Sequence, residues 1–327
     1  MGLAVFAIVA GLAVLVWSAD KFIDGATVIA QKFNVPSFLI GVLILGLGTS
    51  APEMVVSALA ALDGSPELAL GNAYGSNIMN IALILGLTVL ISPVLVERGV
   101  VKRDLPLLLI VTGVAAWQLY DGVVTLVDGV LLVLMLIGVL GMQIVLGKRE
   151  QVAAQLADTT ATAEPANELS EAQVKSSTVS LVIGLLLLVI SSRAVVWGAI
   201  ELATLWGLSE LIIGLTIVAV GTSLPELVAS ITAARRGEHG MALGNIVGSN
   251  VFNTLGVVGL AAVIAPISVS SAMFSRDVLV MAGLTLLLLG LCAVAVMTKR
   301  RFGRLSGSTL LLCFLGYTTW LIQSVSL

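Results

Sequence analysis

Residues 41–60 read GVLILGLGTSAPEMVVSALA, and residues 214–233 read GLTIVAVGTSLPELVASITA. The two stretches share Gly, Thr, Ser, Pro and Glu in one register, 173 residues apart. The register runs on without a gap. Gly71-Asn72-Ala73-Tyr74-Gly75-Ser76-Asn77 faces Gly244-Asn245-Ile246-Val247-Gly248-Ser249-Asn250, and Asn80 faces Asn253. Further on, Pro93 faces Pro266, and Arg103-Asp104 faces Arg276-Asp277. Apolar segments resemble one another by composition alone, but polar residues and prolines recurring at a single offset require a duplicated unit.

The surroundings of these motifs set the solvent. The chain has 327 residues, 58% hydrophobic and only 11% charged, where a soluble domain carries about a quarter charged residues. Leu68 to Val96 and Met241 to Ser275 contain no Asp, Glu, Lys or Arg. About 20 mostly apolar residues suffice for a helix to cross the hydrocarbon core. The expected class is therefore an all-α membrane protein, with the lipid bilayer as its principal partner. Apolar segments lie near residues 3–19, 38–61, 68–92, 104–120, 123–146, 178–200, 210–233, 241–264, 277–297 and 307–325. These are ten expected transmembrane helices. The first, Leu3 to Ala19, lacks a basic leader and a small-residue cleavage site and is read as a retained span. The polar stretch Lys148 to Ser177 reads as a flexible cytoplasmic linker, because it has too few bulky apolar residues to fold. It separates a first five-helix repeat, 1–147, from a second, 178–327.

Basic residues prefer the cytoplasmic side. With the N-terminus outside, all of the sixteen Lys and Arg except Arg193 and Arg276 fall in cytoplasmic connections. Asp63, Glu67, Asp121, Glu201 and Glu210 fall outside. Both termini are expected to be periplasmic. Five spans is an odd number, so the second copy enters the membrane from the opposite side. Two inverted five-helix repeats follow, an architecture typical of secondary transporters, whose site lies at the repeat interface near midplane. Cys292 and Cys313 sit in apolar segments as packing residues, and the single histidine, His239, offers no imidazole metal cluster. A net charge of -3 implies no nucleic acid or other polyionic partner.

Glu53 and Glu226 are the acidic residues of two otherwise uncharged spans. Each costs about 2.5–3.5 kcal/mol at the bilayer centre on insertion scales. Arg193 is a possible counter-charge for one of them, but Asp20 stands at its repeat position. A buried ion pair therefore answers less well than a cation held by both carboxylates. Thr49 and Thr222 lie one turn before the glutamates on the same face, with Ser50 and Ser223 beside them. Pro52 and Pro225 free the carbonyls of Gly48 and Gly221, a feature tolerated at membrane depth where backbone lines a cavity or binds ions. Ser76 and Asn80, and Ser249 and Asn253, add hydroxyl and amide oxygens on the next spans. This oxygen set suits calcium and disfavours zinc, copper and iron. Gly71/Gly75 and Gly244/Gly248 suit close helix packing. Asn72, Asn77, Asn245 and Asn250 are placed either to bond between helices or to reach an ion. Gly46-Leu47-Gly48-Thr49-Ser50-Ala51 matches a dinucleotide-binding pattern, but it lacks the preceding strand and βαβ unit that pattern needs.

Two copies of G-T-S-x-P-E, each followed by G-S-N-x-x-N, resemble the paired motifs of the cation/calcium exchanger superfamily, in particular prokaryotic sodium/calcium exchangers. The resemblance extends over all ten segments. It implies that Glu53 and Glu226 are shared ligands of calcium and sodium. It also implies hydroxyl ligands at Thr49, Ser50, Thr222, Ser223, Ser76 and Ser249, and inner-shell positions at Asn80 and Asn253. The carbonyls of Gly46 and Ala219 match positions that ligate sodium. Asn253 departs from relatives that carry Asp there. The G-N-x-x-E pattern of proton/calcium exchangers is absent, since Gly75 and Gly248 occupy that place.

The expected function is secondary antiport across the inner membrane, sodium entering and calcium leaving by alternating access, with the first and sixth spans as the moving gate. A proton/calcium exchanger and a potassium-dependent sodium/calcium exchanger are the alternatives. No enzyme chemistry, cofactor or obligatory protein partner is expected.

Overall fold

The computed structural model describes residues 1–158, 170–206 and 219–325. Helices occupy Gly2–Phe33 (α1), Ser37–Leu62 (α2), Glu67–Ile91 (α3), 100–118 (α4), Leu126–Asp158 (α5) and Glu171–Leu205 (α6). The remainder are Leu224–Arg235 (α7), His239–Ile264 (α8), Met273–Met297 (α9) and Arg304–Val325 (α10). Eight of these segments, all but α4 and α7, are long and apolar enough to cross a membrane. The expected seventh span begins among residues outside the described set, so only the turn Ala219–Thr222 and α7 represent it.

The linker expectation needs narrowing. α5 continues through 148–158, and α6 begins at Glu171. Ser170 and Gln173 form a reciprocal cap: the Gln173 amide donates to Ser170 Oγ (3.2 Å), and the Ser170 amide donates to Gln173 Oε1 (2.9 Å). Ala, Gln, Glu and Lys are strong helix formers, and a membrane helix already nucleated propagates through them at little cost. The middle of the stretch, 159–169, lies outside the described residues.

The exterior is apolar. Leu3, Phe6, Val9 and Trp17 of α1 and Leu131, Leu134 and Ile137 of α5 are all exposed, the surface a bilayer would cover. α3 and α8 are the most buried helices, and α10 and α5 are among the least.

The repeat reappears in the backbone. π-helical turns occupy Met79–Ile84 in α3 and Phe252–Val257 in α8, at equivalent positions. A second mirrored pair, Val100–Asp104 and Met273–Val278, opens α4 and α9. Gly64 and Gly237 follow α2 and α7 with φ of 81° and 82°, a left-handed conformation that L side chains resist. The connections after α3 and α8 also answer each other: Val94 bridges Phe302, and Ile267–Ser268 pairs antiparallel with Val123–Val124.

α1 and α6 pack along each other through four mirrored glycines. A methyl added at Gly11 would meet Val195 Cγ2 at 2.7 Å, and its repeat mate Gly184 would meet the Phe22 backbone nitrogen at 2.6 Å. Gly25 would meet the Ser177 carbonyl oxygen at 2.5 Å, and Gly198 the Ala4 carbonyl oxygen at 2.6 Å. Small residues permit this backbone approach, and without them the van der Waals attraction that joins helices in lipid would be lost. The pair is thus welded along its length.

This packing generates a prediction. Gly184→Leu should destabilise the protein by about 1–3 kcal/mol through overpacking. Gly138→Leu, at an exposed position of α5 with open space around it, should be near neutral. Thermal unfolding in detergent, followed by size-exclusion chromatography, compares the two.

Candidate cation site

Glu53 and Glu226 are each only 1% exposed. They lie within electrostatic reach of each other, and the hydroxyls of Thr49 and Ser50 stand beside the Glu226 carboxylate. Ion pairs among the described residues join Arg103 to Asp104, Arg236 to Asp20 and Asp24, and Arg276 to Asp277. None of them reaches Glu53 or Glu226. Arg193 is exposed on α6 and within electrostatic reach of Glu53, yet forms no salt bridge with it.

The halves meet at this point. The Thr49 hydroxyl of α2 stands 2.9 Å from the Leu45 carbonyl and 3.2 Å from Asn245 Oδ1 of α8, to either of which it can donate. It is also 3.5 Å from Ser249 Oγ. Glycine lets α2 and α8 approach: a Cβ on Gly46 would lie 3.0 Å from the Gly248 Cα and the Ser249 nitrogen. The Gly46 backbone is therefore beside Ser249.

Many of the site candidates carry buried side-chain polar atoms that lack a protein partner among the described residues. They include Ser50 Oγ, both carboxylate oxygens of Glu53, Oε2 of Glu226, Ser223 Oγ, and both amide atoms of Asn80 and Asn253. The others belong to Tyr74, Asn77, Thr88, Gln118, His239 and Asn250. A buried polar atom without a partner costs about 1–3 kcal/mol, and a carboxylate more. Two carboxylates with hydroxyl and amide oxygens around them fit a hard cation, which takes all its ligands as oxygen. Asn80 and Asn253 sit in the mirrored π turns, an irregularity frequent at functional sites. Ser76 and Ser249 are buried, and Thr222 is half-buried. Ala219 begins the turn before α7.

The four remaining asparagines divide. Asn72 Nδ2 donates to Ser57 Oγ (3.0 Å) and the Glu53 carbonyl (3.4 Å). Asn245 Nδ2 repeats this with Ser230 Oγ (2.8 Å) and the Glu226 carbonyl (3.3 Å). These two brace the glutamate helices against their neighbours. Asn77 Nδ2 crosses between the halves to Thr254 Oγ1 at 2.8 Å, whereas Asn250 keeps both amide atoms unpaired. The freed carbonyl of Gly221 accepts from Ser192 of α6 at 3.0 Å. Ser57 and Ser230 are detectable in the sequence as mirrored residues one turn after the glutamates. Ser192 is not, because Ala19 stands at its repeat position.

The family described as "Sodium/calcium exchanger protein" matches residues 3–145 and 176–323. The chain belongs to this family. The exchanger is 42% identical over 324 residues to "Putative antiporter CaxA" of Alkalimonas amylolytica, covering 99% of this chain and 100% of that protein. It is 38% identical over 292 residues to "Inner membrane protein YrbG" of Escherichia coli, covering 89% of each. "Sodium/calcium exchanger MaX1" of Methanosarcina acetivorans is 31% identical over 311 residues, covering 85% of this chain and 88% of its own. The solved sodium-calcium exchanger NCX_Mj superposes with a TM-score of 0.82 at 32% identity, over 98% of this chain and 99% of that one. The exchanger is thus a multi-pass membrane protein of the cation/calcium exchanger superfamily.

The mirrored braces carry a prediction. Asn245→Ala removes the donor to Ser230 and Glu226 and should cost about 1–3 kcal/mol. Asn245→Asp keeps the acceptor for Thr49 and loses the donor, so it should show most of the same loss in thermal unfolding.

Proposed function

We propose that this exchanger is an inner-membrane antiporter in which calcium leaves as sodium enters, by alternating access. In this reading ten spans form two inverted five-helix halves with both termini periplasmic. Residues 1–147 and 178–327 are the halves, and the polar stretch between them is cytoplasmic. The observation that carries it is the pair Glu53 and Glu226, mirrored by the repeat, buried at its interface and joined to no basic side chain among the described residues.

Two carboxylates in a low-dielectric site require a compensating positive charge. One calcium ion supplies two charges at once. Sodium ions supply the same compensation separately, drawing on Thr49, Ser50, Ser76, Asn80, Thr222, Ser223, Ser249, Asn253 and the carbonyls of Gly46 and Ala219. Because both ions need the same carboxylates, a site filled with one excludes the other, and that exclusion couples the fluxes. Halves of like sequence and opposite orientation give outward- and inward-open states of comparable energy. α1 and α6, welded by glycines, move as one gate. The names of MaX1 and NCX_Mj support sodium as the driving ion. A proton could also satisfy an unpaired buried carboxylate, so proton/calcium exchange is the second reading.

Glu53→Gln or Glu226→Gln should reduce sodium-gradient-driven calcium-45 flux in proteoliposomes to the level of protein-free vesicles, with the variants still monodisperse. Flux at the unsubstituted rate would refute the shared site. Flux driven by a pH gradient in sodium-free buffer would select the second reading.

A further inference from the structure

Arg236, just beyond the end of α7, holds two acidic side chains of α1. Its Nη2 and Nε donate to Asp20 Oδ1 at 2.9 and 3.2 Å, and its Nη1 donates to Asp24. The repeat register maps Asp20 onto Arg193 and Arg236 onto Asp63. A contact between the gate pair and the end of α7 therefore has a counterpart between the gate pair and the end of α2, with the charges exchanged. Asp63 follows α2 as its C-terminal cap, Arg193 lies on α6, and both are exposed. Among the described residues, neither forms an ion pair or side-chain hydrogen bond.

A perfectly symmetric molecule would make both contacts or neither. This one makes contacts at the α7 end alone, Arg236 with Asp20 and Asp24, while Arg193 and Asp63 form no ion pair with each other. The α1–α6 pair is a single body, since a methyl at any of its four crossing glycines would lie within 2.7 Å of the other helix. Among the described residues, its ion pairs with the segments after α2 and α7 are thus all at the α7 end. Movement of that body away from Arg236 and toward Asp63 would open the existing contact and bring Arg193 to its repeat counterpart.

We propose that Asp20–Arg236 and Arg193–Asp63 are alternating ion-pair latches, each closed in one of the two conformations through which the exchanger cycles. The proposal rests on the alternating-access reading. A latch on one side alone would bias the carrier toward one state. An exposed pair changes such a balance by about two- to fivefold, and a second latch on the other side offsets part of that bias while leaving each end state defined. The exchange of sign between halves preserves the Asp20–Arg236 attraction in Arg193–Asp63, but Trp197 stands at the repeat position of Asp24, so the first latch carries one more ion pair than the second.

The test uses the full chain in proteoliposomes with Cys292→Ser and Cys313→Ser. One variant carries Asp63→Cys with Arg193→Cys, another Asp20→Cys with Arg236→Cys, and both are treated with a short bis-thiosulfonate. Both pairs are expected to cross-link, each link stopping exchange and its reduction restoring it. Adding Arg236→Glu to the first variant should raise its cross-linking rate about two- to fivefold by opening the competing latch, and adding Asp20→Lys with it should reverse that rise. A 63/193 pair that never links under any ion gradient, in protein that still exchanges, would overturn the latch and leave the antiport intact. Cross-linking reads helix approach whichever ion is carried. Absence of calcium flux under a sodium or pH gradient in the unsubstituted protein would instead overturn the antiport reading on which the latch depends.

Discussion

Two carboxylates buried within electrostatic reach of each other are the constraint on which this fold is organised. Water is excluded from Glu53 and Glu226, and among the described residues no guanidinium or ammonium group takes its place. Desolvation and mutual repulsion both oppose such an arrangement. The protein surrounds it with neutral oxygen atoms and leaves many of them without a protein partner. The stability conceded there is what a bound cation would restore under the proposed function.

The rest of the molecule holds this arrangement open without filling it. Asn72 and Asn245 tie the backbone behind each glutamate to the next helix. Thr49 reaches Asn245, and Asn77 reaches Thr254, so both halves are bonded across their interface. Glycines at Gly46 and Gly248 bring α2 and α8 close enough for those short side chains to meet. α1 and α6 lie outside this core as one glycine-welded unit, attached to α7 through Arg236. The proposed alternating access would use this division between a bonded core and a glycine-packed pair of helices.

Most of this is legible in the sequence wherever the repeat duplicates it. Glu53 and Glu226, the Thr and Ser beside them, and the Asn80/Asn253 pair stand out because polar residues are costly in apolar segments, and chance does not repeat that cost at a fixed offset. The features that escape are those the repeat does not duplicate. Thr254, the partner of Asn77, has Ile81 at its mirror position, and Ser192, which takes the Gly221 carbonyl, has Ala19. The Asp20–Arg236 contact escapes for a related reason, since its mirror carries opposite charges and is not formed. The full extent of α5 and α6 escapes because falling hydrophobicity marks the edge of the membrane and not the end of a helix. Good helix formers continue both helices beyond their apolar stretches.

Under the proposed function both carboxylates bind one and the same ion. A crystal structure of the exchanger grown with strontium, phased on its anomalous signal, tests this directly. One strong peak is expected, bonded to an oxygen of Glu53 and an oxygen of Glu226 together, at about the 2.3–2.6 Å of calcium-type coordination. Separate peaks at each glutamate, or a single peak elsewhere in a protein that still transports, would contradict it.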